Sequence, residues 1–173
     1  SFTFTAQVVD NVGSSASKEL SIYITSPPPA TLQMVTATQT ITSGQEFQGR
    51  LEVKEVVNLF GVNIEIVFDP DLISVIGVTE GSFLNKDDTA TLFMRTIDNT
   101  NGTIIIGMSR SGQVAGVSGS GTLCNVTFKA KAGGTGTLGL ENISLKDSNL
   151  VKMDTIIGVG LVKILSPTIQ ITP

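Results

Sequence analysis

The sequence contains no histidine and no tryptophan, and it has only one cysteine and one tyrosine. Without histidine, the general base of the common serine and cysteine hydrolases is missing, and so is a usual ligand of zinc. The single cysteine, Cys124, excludes an internal disulfide, and a free cysteine is most often a small buried apolar residue. The composition therefore argues against hydrolases of these classes and against zinc-dependent enzymes.

Charged residues are also scarce, at 15% of the chain, and the 11 basic against 15 acidic residues give a formal net charge of −4. A nucleic-acid-binding domain normally carries a basic patch. A membrane-spanning helix needs about 20 consecutive apolar residues, and no run approaches that length. We therefore expect neither a nucleic-acid partner nor insertion into a membrane. The chain begins within a strand pattern and without a signal peptide, which indicates a piece of a longer secreted protein.

What the sequence has in abundance is alternation of apolar and polar residues with a period of two, which is typical of β-strands. Turn residues separate the alternating runs, and Asn101-Gly102 between two of them is a strong hairpin signal. Many short strands at such spacing predict an all-β sandwich or barrel. We predict nine strands, at residues 31–37, 46–54, 60–69, 72–79, 90–98, 103–109, 122–131, 136–141 and 155–165.

Two proline-bearing segments divide the chain. Residues 26–30 hold three consecutive prolines, which favour a stiff extended linker, and residues 166–173 form a second candidate linker. Between them, residues 31–165 are predicted to form one domain. Residues 1–25 alternate as two strands, and two strands alone are marginally stable in water. We interpret them as the end of an immunoglobulin-like or cadherin-like repeat.

The alternation also predicts which side chains form the core. On the strand at 60–69 and the strand at 122–131, the inward residues are Val62, Ile64, Ile66, Phe68, Cys124, Val126 and Phe128. The strand at 103–109 is ambiguous, because both of its faces carry isoleucine. We favour the register with Ile104, Ile106 and Met108 inward over the register with Ile105, Gly107 and Ser109 inward.

The sequence patterns that resemble catalytic or metal-binding motifs are incomplete. Asp69 and Asp71 flank a proline at a strand end, which is typical of a turn. Residues 87–88 are two aspartates that we expect at a solvated loop tip. Residues 107–111 lack the last glycine of a nucleophile elbow, and residues 98–102 lack the glutamate of a calcium loop. No catalytic residue, metal or cofactor is predicted.

Four segments together resemble one family, the cohesins. They are LFGVNIEIVFDP at 59–70, LISVIGV and GSFL within 72–84, IDNTNGTI at 97–104, and GSGTLCNVTFKA at 119–130, which has Cys124 where the family usually has alanine. The resemblance extends over residues 31–165. It implies a nine-stranded jelly-roll β-sandwich that binds a dockerin module, which itself carries calcium. It also implies an extracellular scaffold that holds enzymes of plant polysaccharide breakdown.

The resemblance further implies that the partner binds the exposed face of the sheet that contains the third, fifth and sixth strands. The residues that we place on this face, or in the loop beside it, are Gly61, Asn63, Glu65, Val67, Phe93, Arg95, Ile97 and Arg110. On the fifth strand, Leu92 and Met94 compete with Phe93 for the inward register, because a slip by one residue exchanges the two faces. The loop after Arg110 lacks the family's usual acid, which favours a cohesin-like module of a non-cellulosomal secreted or surface protein.

We therefore predict a non-catalytic, extracellular protein-binding module with a dockerin-like partner. One alternative is a carbohydrate-binding module, because related sandwiches bind polysaccharide. Such modules stack sugar rings on exposed tryptophan or tyrosine, and the only tyrosine, Tyr23, lies before the prolines. A second alternative is a structural spacer in a multidomain adhesin, which the proline linkers favour.

Overall fold

The computed structural model of the protein describes residues 2–22, 28–36, 41–158 and 160–165. Within these ranges the chain forms twelve strands and no helix. The strands are β1 (Phe2–Val9), β2 (Ser15–Ile22), β3 (Ala30–Thr36), β4 (Ile41–Thr42), β5 (Glu46–Val67), β6 (Ile73–Glu80), β7 (Thr91–Asp98), β8 (Thr103–Arg110), β9 (Val117–Ala130), β10 (Gly134–Asp147), β11 (Thr155–Gly158) and β12 (Gly160–Leu165).

Strands β1 and β2 form an antiparallel hairpin in which Phe2 lies opposite Ile22. The carboxylate of Asp10 closes the turn by accepting hydrogen bonds from the backbone N–H groups of Val12 and Ser14, at 2.9 and 2.8 Å. Every residue of both strands is exposed. The two predicted strands are confirmed, whereas their membership of an immunoglobulin-like repeat remains a prediction. Of the first predicted linker, residues 26–27 lie outside the described residues, Pro28 and Pro29 belong to no strand, and Ala30 is already the buried first residue of β3. The second predicted linker, residues 166–173, lies outside the described residues.

The remaining strands form a two-layered β-sandwich, and the long strand β5 belongs to both layers. Its first part pairs with β3 on one side and β9 on the other, and β9 and β3 in turn pair with β6 and β11. We call these strands the back sheet. Its last part pairs with β10 and β8, and β8 pairs with β7. We call these strands the front sheet. Strand β12 joins the first residues of β10 to β4.

Two irregular residues allow β5 to pass from one sheet to the other. Glu55 and Asn58 have positive φ values of 57° and 62°, and the ladder to β9 shifts register around them. Their backbone N–H groups, which the ladder leaves free, donate to the hydroxyls of Ser120 and Ser118 at 3.1 and 2.9 Å. Such bulges bend a strand without ending it. The predicted strands at 46–54 and 60–69 are therefore one continuous strand.

The predicted number of nine strands is not confirmed. Besides the fusion of two predicted strands into β5, a two-residue strand, β4, precedes it. Strand β10 extends beyond the predicted strand at 136–141 in both directions. The segment predicted as one strand at 155–165 contains two strands, β11 and β12. The other predicted strands agree within a few residues, and the all-β sandwich is confirmed.

The core lies between the two sheets and follows the predicted alternation. All of the inward residues predicted on β5, β8 and β9 are buried. The ring of Phe128 stacks on Phe47 at a centroid distance of 5.2 Å and meets the ring of Phe68 edge-on at 6.4 Å. Cys124, which lies on β9 opposite Leu51 of β5, is buried, and desolvation raises the pKa of its thiol to about 12. As predicted, this cysteine is a small apolar core residue.

The side chain of Asn99, in the turn between β7 and β8, ties the two sheets together. Its Oδ1 accepts a hydrogen bond from the backbone N–H of Val75 on β6 at 2.7 Å, and its Nδ2 donates to the carbonyl of Val75 at 3.0 Å. Asp98 shapes the same turn by accepting hydrogen bonds from the backbone N–H groups of Thr100 and Asn101. Asn99 therefore satisfies backbone groups on the outer edge of β6.

Replacing Asn99 with alanine should lower the free energy of unfolding by about 1–3 kcal/mol, because it leaves both backbone groups of Val75 without a partner. Urea denaturation measures this loss. Thr100→Ala in the same turn is the matched control, because only the backbone of Thr100 is hydrogen-bonded there. Equal stability of Asn99→Ala and the wild type would contradict the assigned role.

Candidate functional site

The outer surface of the front sheet is formed by four side-by-side strands in the order β10, β5, β8 and β7. Residues paired across antiparallel strands point to the same face, so that the pairing arranges the surface in rows. From one end of the sheet to the other, the rows are Lys146–Gly61–Ser109–Leu92, Ser144–Asn63–Gly107–Met94, Glu141–Glu65–Ile105–Thr96 and Gly139–Val67–Thr103–Asp98.

The four residues of β5 that were predicted to face outward do so. Asn63 is exposed, and Gly61, Glu65 and Val67 are partly exposed, whereas the residues between them are buried. The predicted register of β8 is also confirmed, because Ile104, Ile106 and Met108 are buried. Strand β8 therefore presents Ile105, Gly107 and Ser109 on the outer surface.

On β7 the predicted register is wrong. Phe93, Arg95 and Ile97 were expected to face outward, but they pair with Met108, Ile106 and Ile104 of β8. Those three partners are buried, so the inner face of the sheet is also the face of Phe93, Arg95 and Ile97. Phe93 and Ile97 pack against the core.

The outward residues of β7 are instead Leu92 and Met94, which are 53% and 59% exposed. The sequence did hold a signal for this register. The hairpin pairs Asp98 with Thr103, and counting one residue back from the turn places Ile97 beside Ile104. An inward Ile104 therefore requires an inward Ile97.

Three exposed apolar side chains lie together at the β7–β8 side of this surface. Leu92, Met94 and Ile105, which we call the apolar patch, sit in consecutive rows of the front sheet. Gly107 lies between them, and a β-carbon there would be 3.7 Å from the methyl group of Met94. The methionine side chain therefore lies across the glycine, which makes the patch low and continuous.

Polar and acidic side chains border the apolar patch on the β5–β10 side. Glu65 and Glu141 stand directly opposite each other, a pairing of like charges that is unfavourable in a sheet. Asn142, in a bulge of β10, donates a hydrogen bond from Nδ2 to Glu65 Oε2 at 2.6 Å. The ion pairs formed within the described ranges, Arg50–Glu52 and Arg110–Asp87, include neither of these glutamates. The border is thus acidic.

Arg110 was predicted to lie beside the contact surface, but its side chain is buried, with 4% of the residue exposed. Its guanidinium donates to the carbonyl of Leu84 and to both carboxylate oxygens of Asp87, at 3.0 and 2.7 Å, and to the hydroxyl of Thr89 at 2.9 Å. Arg110 therefore fastens the loop before β7 to the end of β8. The expectation of a merely solvated Asp87 is corrected, since its half-exposed carboxylate is ion-paired.

The hydrogen bonds from Arg110 hold the pKa of Asp87 well below its usual range. A carboxyl whose pKa is lowered by folding stabilises the folded state above its unfolded pKa, about 3.9, and loses that contribution as the pH falls further. The difference in unfolding free energy between the wild type and Asp87→Asn should therefore be constant from pH 8 to about pH 5 and should narrow below about pH 4.

Urea denaturation at a series of pH values measures this difference. Asp88→Asn is the charge-matched control for the neighbouring position. A difference between the wild type and Asp87→Asn that stays constant down to pH 3 would show that the ion pair does not stabilise the fold.

Arg95 is a charged residue on the inner face of an edge strand. Within the described residues, β7 pairs only with β8, so that its other edge is open. The guanidinium of Arg95 lies 5.7 Å from the centroid of the Phe93 ring, and the residue is exposed. A charge that points inward at an edge discourages another strand from adding there. Arg95 therefore protects the open edge of the front sheet.

Replacing Arg95 with valine should make the protein self-associate through β7, because the edge then carries only apolar and small polar side chains on its inner face. Analytical ultracentrifugation over a range of concentrations measures the change from the wild type. Arg50→Val, on the part of β5 that has neighbours on both sides, is the control. Identical sedimentation of Arg95→Val and the wild type would refute the protective role.

The described residues contain no group of three or more histidine, cysteine, aspartate or glutamate side chains placed to hold a metal ion. Asp69 accepts a hydrogen bond from the backbone N–H of Asp71 at 2.9 Å, as expected for a turn. None of the described segments is a helix long and apolar enough to cross a membrane.

Comparison with known proteins gives a consistent answer. The sequence model of the cohesin domain matches residues 32–164. A search of curated proteins found no match.

Several solved structures share the fold. A non-cellulosomal cohesin from the archaeon Archaeoglobus fulgidus is 19% identical, covers 80% of this chain and 93% of its own, and has a TM-score of 0.67. A type I cohesin–dockerin complex from Clostridium thermocellum contains a chain that is 14% identical, with coverages of 84% and 100% and a TM-score of 0.68. A type II cohesin from the cellulosome of Acetivibrio cellulolyticus is 16% identical, with coverages of 78% and 95% and a TM-score of 0.68.

The family model spans most of the chain, and the sandwich described above has the fold of these structures. The chain belongs to the cohesin family.

Proposed function

We propose that this chain is a non-catalytic module that binds a dockerin-type protein through the outer surface of its front sheet. The observation that carries the proposal is the apolar patch of Leu92, Met94 and Ile105 beside the polar Asn63 and the acidic Glu65. Isolated exposed apolar residues are common, but a contiguous patch with a polar border is the usual composition of a protein-binding surface.

Family membership supports the same surface. Several of the similar solved structures are complexes of a cohesin with a dockerin, from Clostridium thermocellum and Acetivibrio cellulolyticus. In those complexes the dockerin is the partner of the cohesin that was solved with it. A dockerin-type partner for this chain is our inference from them. The outward β5 residues Gly61, Asn63, Glu65 and Val67 belong to the proposed surface, whereas the inward Phe93 and Ile97 and the buried Arg110 support it from behind.

We further propose that the domain spans residues 31–165, between the linkers at 26–30 and 166–173, and that it acts outside the cell as part of a larger assembly. Cohesins typically belong to secreted or cell-surface scaffolds, which supports this setting. The departure of the segment after Arg110 from the usual cohesin pattern favours a non-cellulosomal setting, and the archaeal structure is itself named a non-cellulosomal cohesin.

Polysaccharide is the weaker candidate ligand. Sugar rings bind by stacking on exposed aromatic rings, and the described outer surface of the front sheet carries none, because Phe93 faces the core. Tyr23 lies outside the described residues. The apolar patch of Leu92, Met94 and Ile105 offers a sugar ring no aromatic face on which to stack.

The direct test is a binding panel of dockerin modules from the source organism, with the Clostridium thermocellum dockerin as a reference and cellulose, chitin and a glycan array as the alternative ligands. We expect saturable binding of at least one dockerin and no binding of glycans. Binding of polysaccharide without any dockerin would replace the proposal with the carbohydrate-binding alternative. Binding of neither would favour the structural spacer.

Substitutions on β5 and β7 provide a sharper test, because the neighbours Met94 and Phe93 on β7 face opposite sides of the sheet. Met94→Ala and Asn63→Ala should each weaken binding of the recognised dockerin by about 1–3 kcal/mol if they are central contacts, with little change in stability. Phe93→Ala, one residue away on the inner face, should instead lower the free energy of unfolding, because Phe93 packs against the core.

Isothermal titration calorimetry and urea denaturation separate these effects. Unchanged affinity in both Met94→Ala and Asn63→Ala would remove the front sheet from consideration. A loss of affinity in Phe93→Ala alone, without a loss of stability, would restore the register that we have rejected.

A further inference from the structure

The turn that follows β10 is held in one conformation by the carboxylate of Asp147. The Oδ1 of Asp147 accepts hydrogen bonds from the backbone N–H groups of Asn149 and Val151, at 2.9 and 2.8 Å. The backbone of Asp147 bonds to Leu150 and to Val151 as well. The hydroxyl of Ser148 accepts a hydrogen bond from Asn58 Nδ2 at 2.8 Å, which attaches the turn to the crossing point of β5. The turn is therefore firmly anchored.

Leu150 occupies a backbone conformation in this turn that a leucine rarely adopts. Its φ is +63°, whereas the other non-glycine residues with positive φ in the described ranges, Glu55, Asn58, Asp88 and Asn142, are all polar. Glycine or asparagine adopts such a conformation at little cost, and a bulky apolar residue is a true outlier.

Burial does not compensate for this cost, because Leu150 is 65% exposed. The side chain contributes little to the core, and the turn would form more easily without it. Backbone strain at an exposed residue indicates that the residue serves a function other than stabilising the fold, such as binding.

Leu150 lines a hollow at one end of the front sheet. Phe60, Val114, Ala115 and Ser148 line the hollow with it, and the lining is mainly apolar. Phe60 directly precedes Gly61, and Lys146 lies just before the turn, so that the hollow adjoins the row Lys146–Gly61–Ser109–Leu92. The hollow thus lies at the end of the front sheet nearest to Leu92 of the apolar patch.

The size of the front sheet also indicates that contact extends beyond it. Its four outward rows of four residues present 16 residues to a partner. A stable interface commonly uses about 20–30 residues on each partner. A partner of ordinary size therefore reaches past the edge of the sheet, and the hollow is an apolar surface at that edge.

We propose that Leu150 and the hollow beside it are a second contact, which receives an apolar side chain of the dockerin-type module bound on the front sheet. This inference rests on the proposed function. The partner residue is aliphatic or aromatic, because Leu150, Phe60 and Val114 offer it apolar surface. Leu150 is thus a specificity-determining residue whose conformational cost is offset only in the complex.

The test uses three substitutions of Leu150 and one matched control, with a dockerin module that binds the wild type as the probe. Leu150→Gly and Leu150→Asn relieve the backbone and remove the apolar side chain, whereas Leu150→Met keeps an apolar side chain. The control Leu161→Asn changes an equally exposed leucine, at 68%, on β12. It pairs with Thr137, about 30 Å along β10 from the turn.

For Leu150→Gly and Leu150→Asn we expect a melting temperature equal to or above that of the wild type and a Kd raised at least about fivefold. Leu150→Met and Leu161→Asn should keep the Kd within about twofold of the wild type. A rise in stability together with a loss of affinity is a pattern that a merely structural residue would not give.

Two results would overturn the second contact while leaving the front-sheet proposal intact. One is a wild-type Kd in Leu150→Gly and Leu150→Asn while Met94→Ala binds weakly. The other is a lowered melting temperature in both variants, which would make Leu150 a structural residue. If no dockerin binds the wild-type protein, the proposed function fails and the second contact fails with it.

Discussion

The burial of alternate residues on β8 is the constraint on which the rest of the front sheet depends. Ile104, Ile106 and Met108 are removed from water, at about 1.5–3 kcal/mol for each fully buried side chain. Strand β8 pairs with β5 on one side and with β7 on the other. Because paired residues share a face, the same three side chains decide which residues of both neighbours point to solvent.

The outcome is a surface built on rigid elements. Strand β5 runs through both sheets, so the front sheet is an extension of the strand that also organises the back sheet. Its edge is secured by Asn99 against β6 and by the buried Arg110 against the loop before β7. A surface fixed in this way loses little conformational freedom when a partner binds, which favours affinity.

Much of this arrangement could be predicted from the sequence, and the failures have physical causes. The outward face of β5 was predictable, because the polar Asn63 and Glu65 alternate with Ile64 and Ile66. On β7 both faces offer apolar residues, Leu92 and Met94 on one and Phe93 and Ile97 on the other, so that alternation alone could not choose. The continuity of β5 was missed because a strand that crosses between sheets needs bulges at polar residues, which resemble a loop.

Polar contacts between residues far apart in the chain could not be predicted from the sequence. Nothing near Arg110 in the chain indicates that it is buried, because its partner Asp87 lies 23 residues away and comes near only through the fold. The unusual backbone conformation of Leu150, in the turn after β10, could not be predicted either. Its left-handed conformation results from the hydrogen bonds of Asp147, and an apolar residue gives no hint of such a position.

The most direct measurement is a methyl NMR titration of the protein with a dockerin module that it binds. If the outer surface of the front sheet is the docking surface, the methyl signals of Leu92, Met94 and Ile105 shift or broaden strongly. The methyl signals of Ile76 on β6 and Leu161 on β12 then stay in place. Strong shifts confined to β6, β11 or β12, with the signals of Leu92, Met94 and Ile105 unchanged, would contradict the assignment.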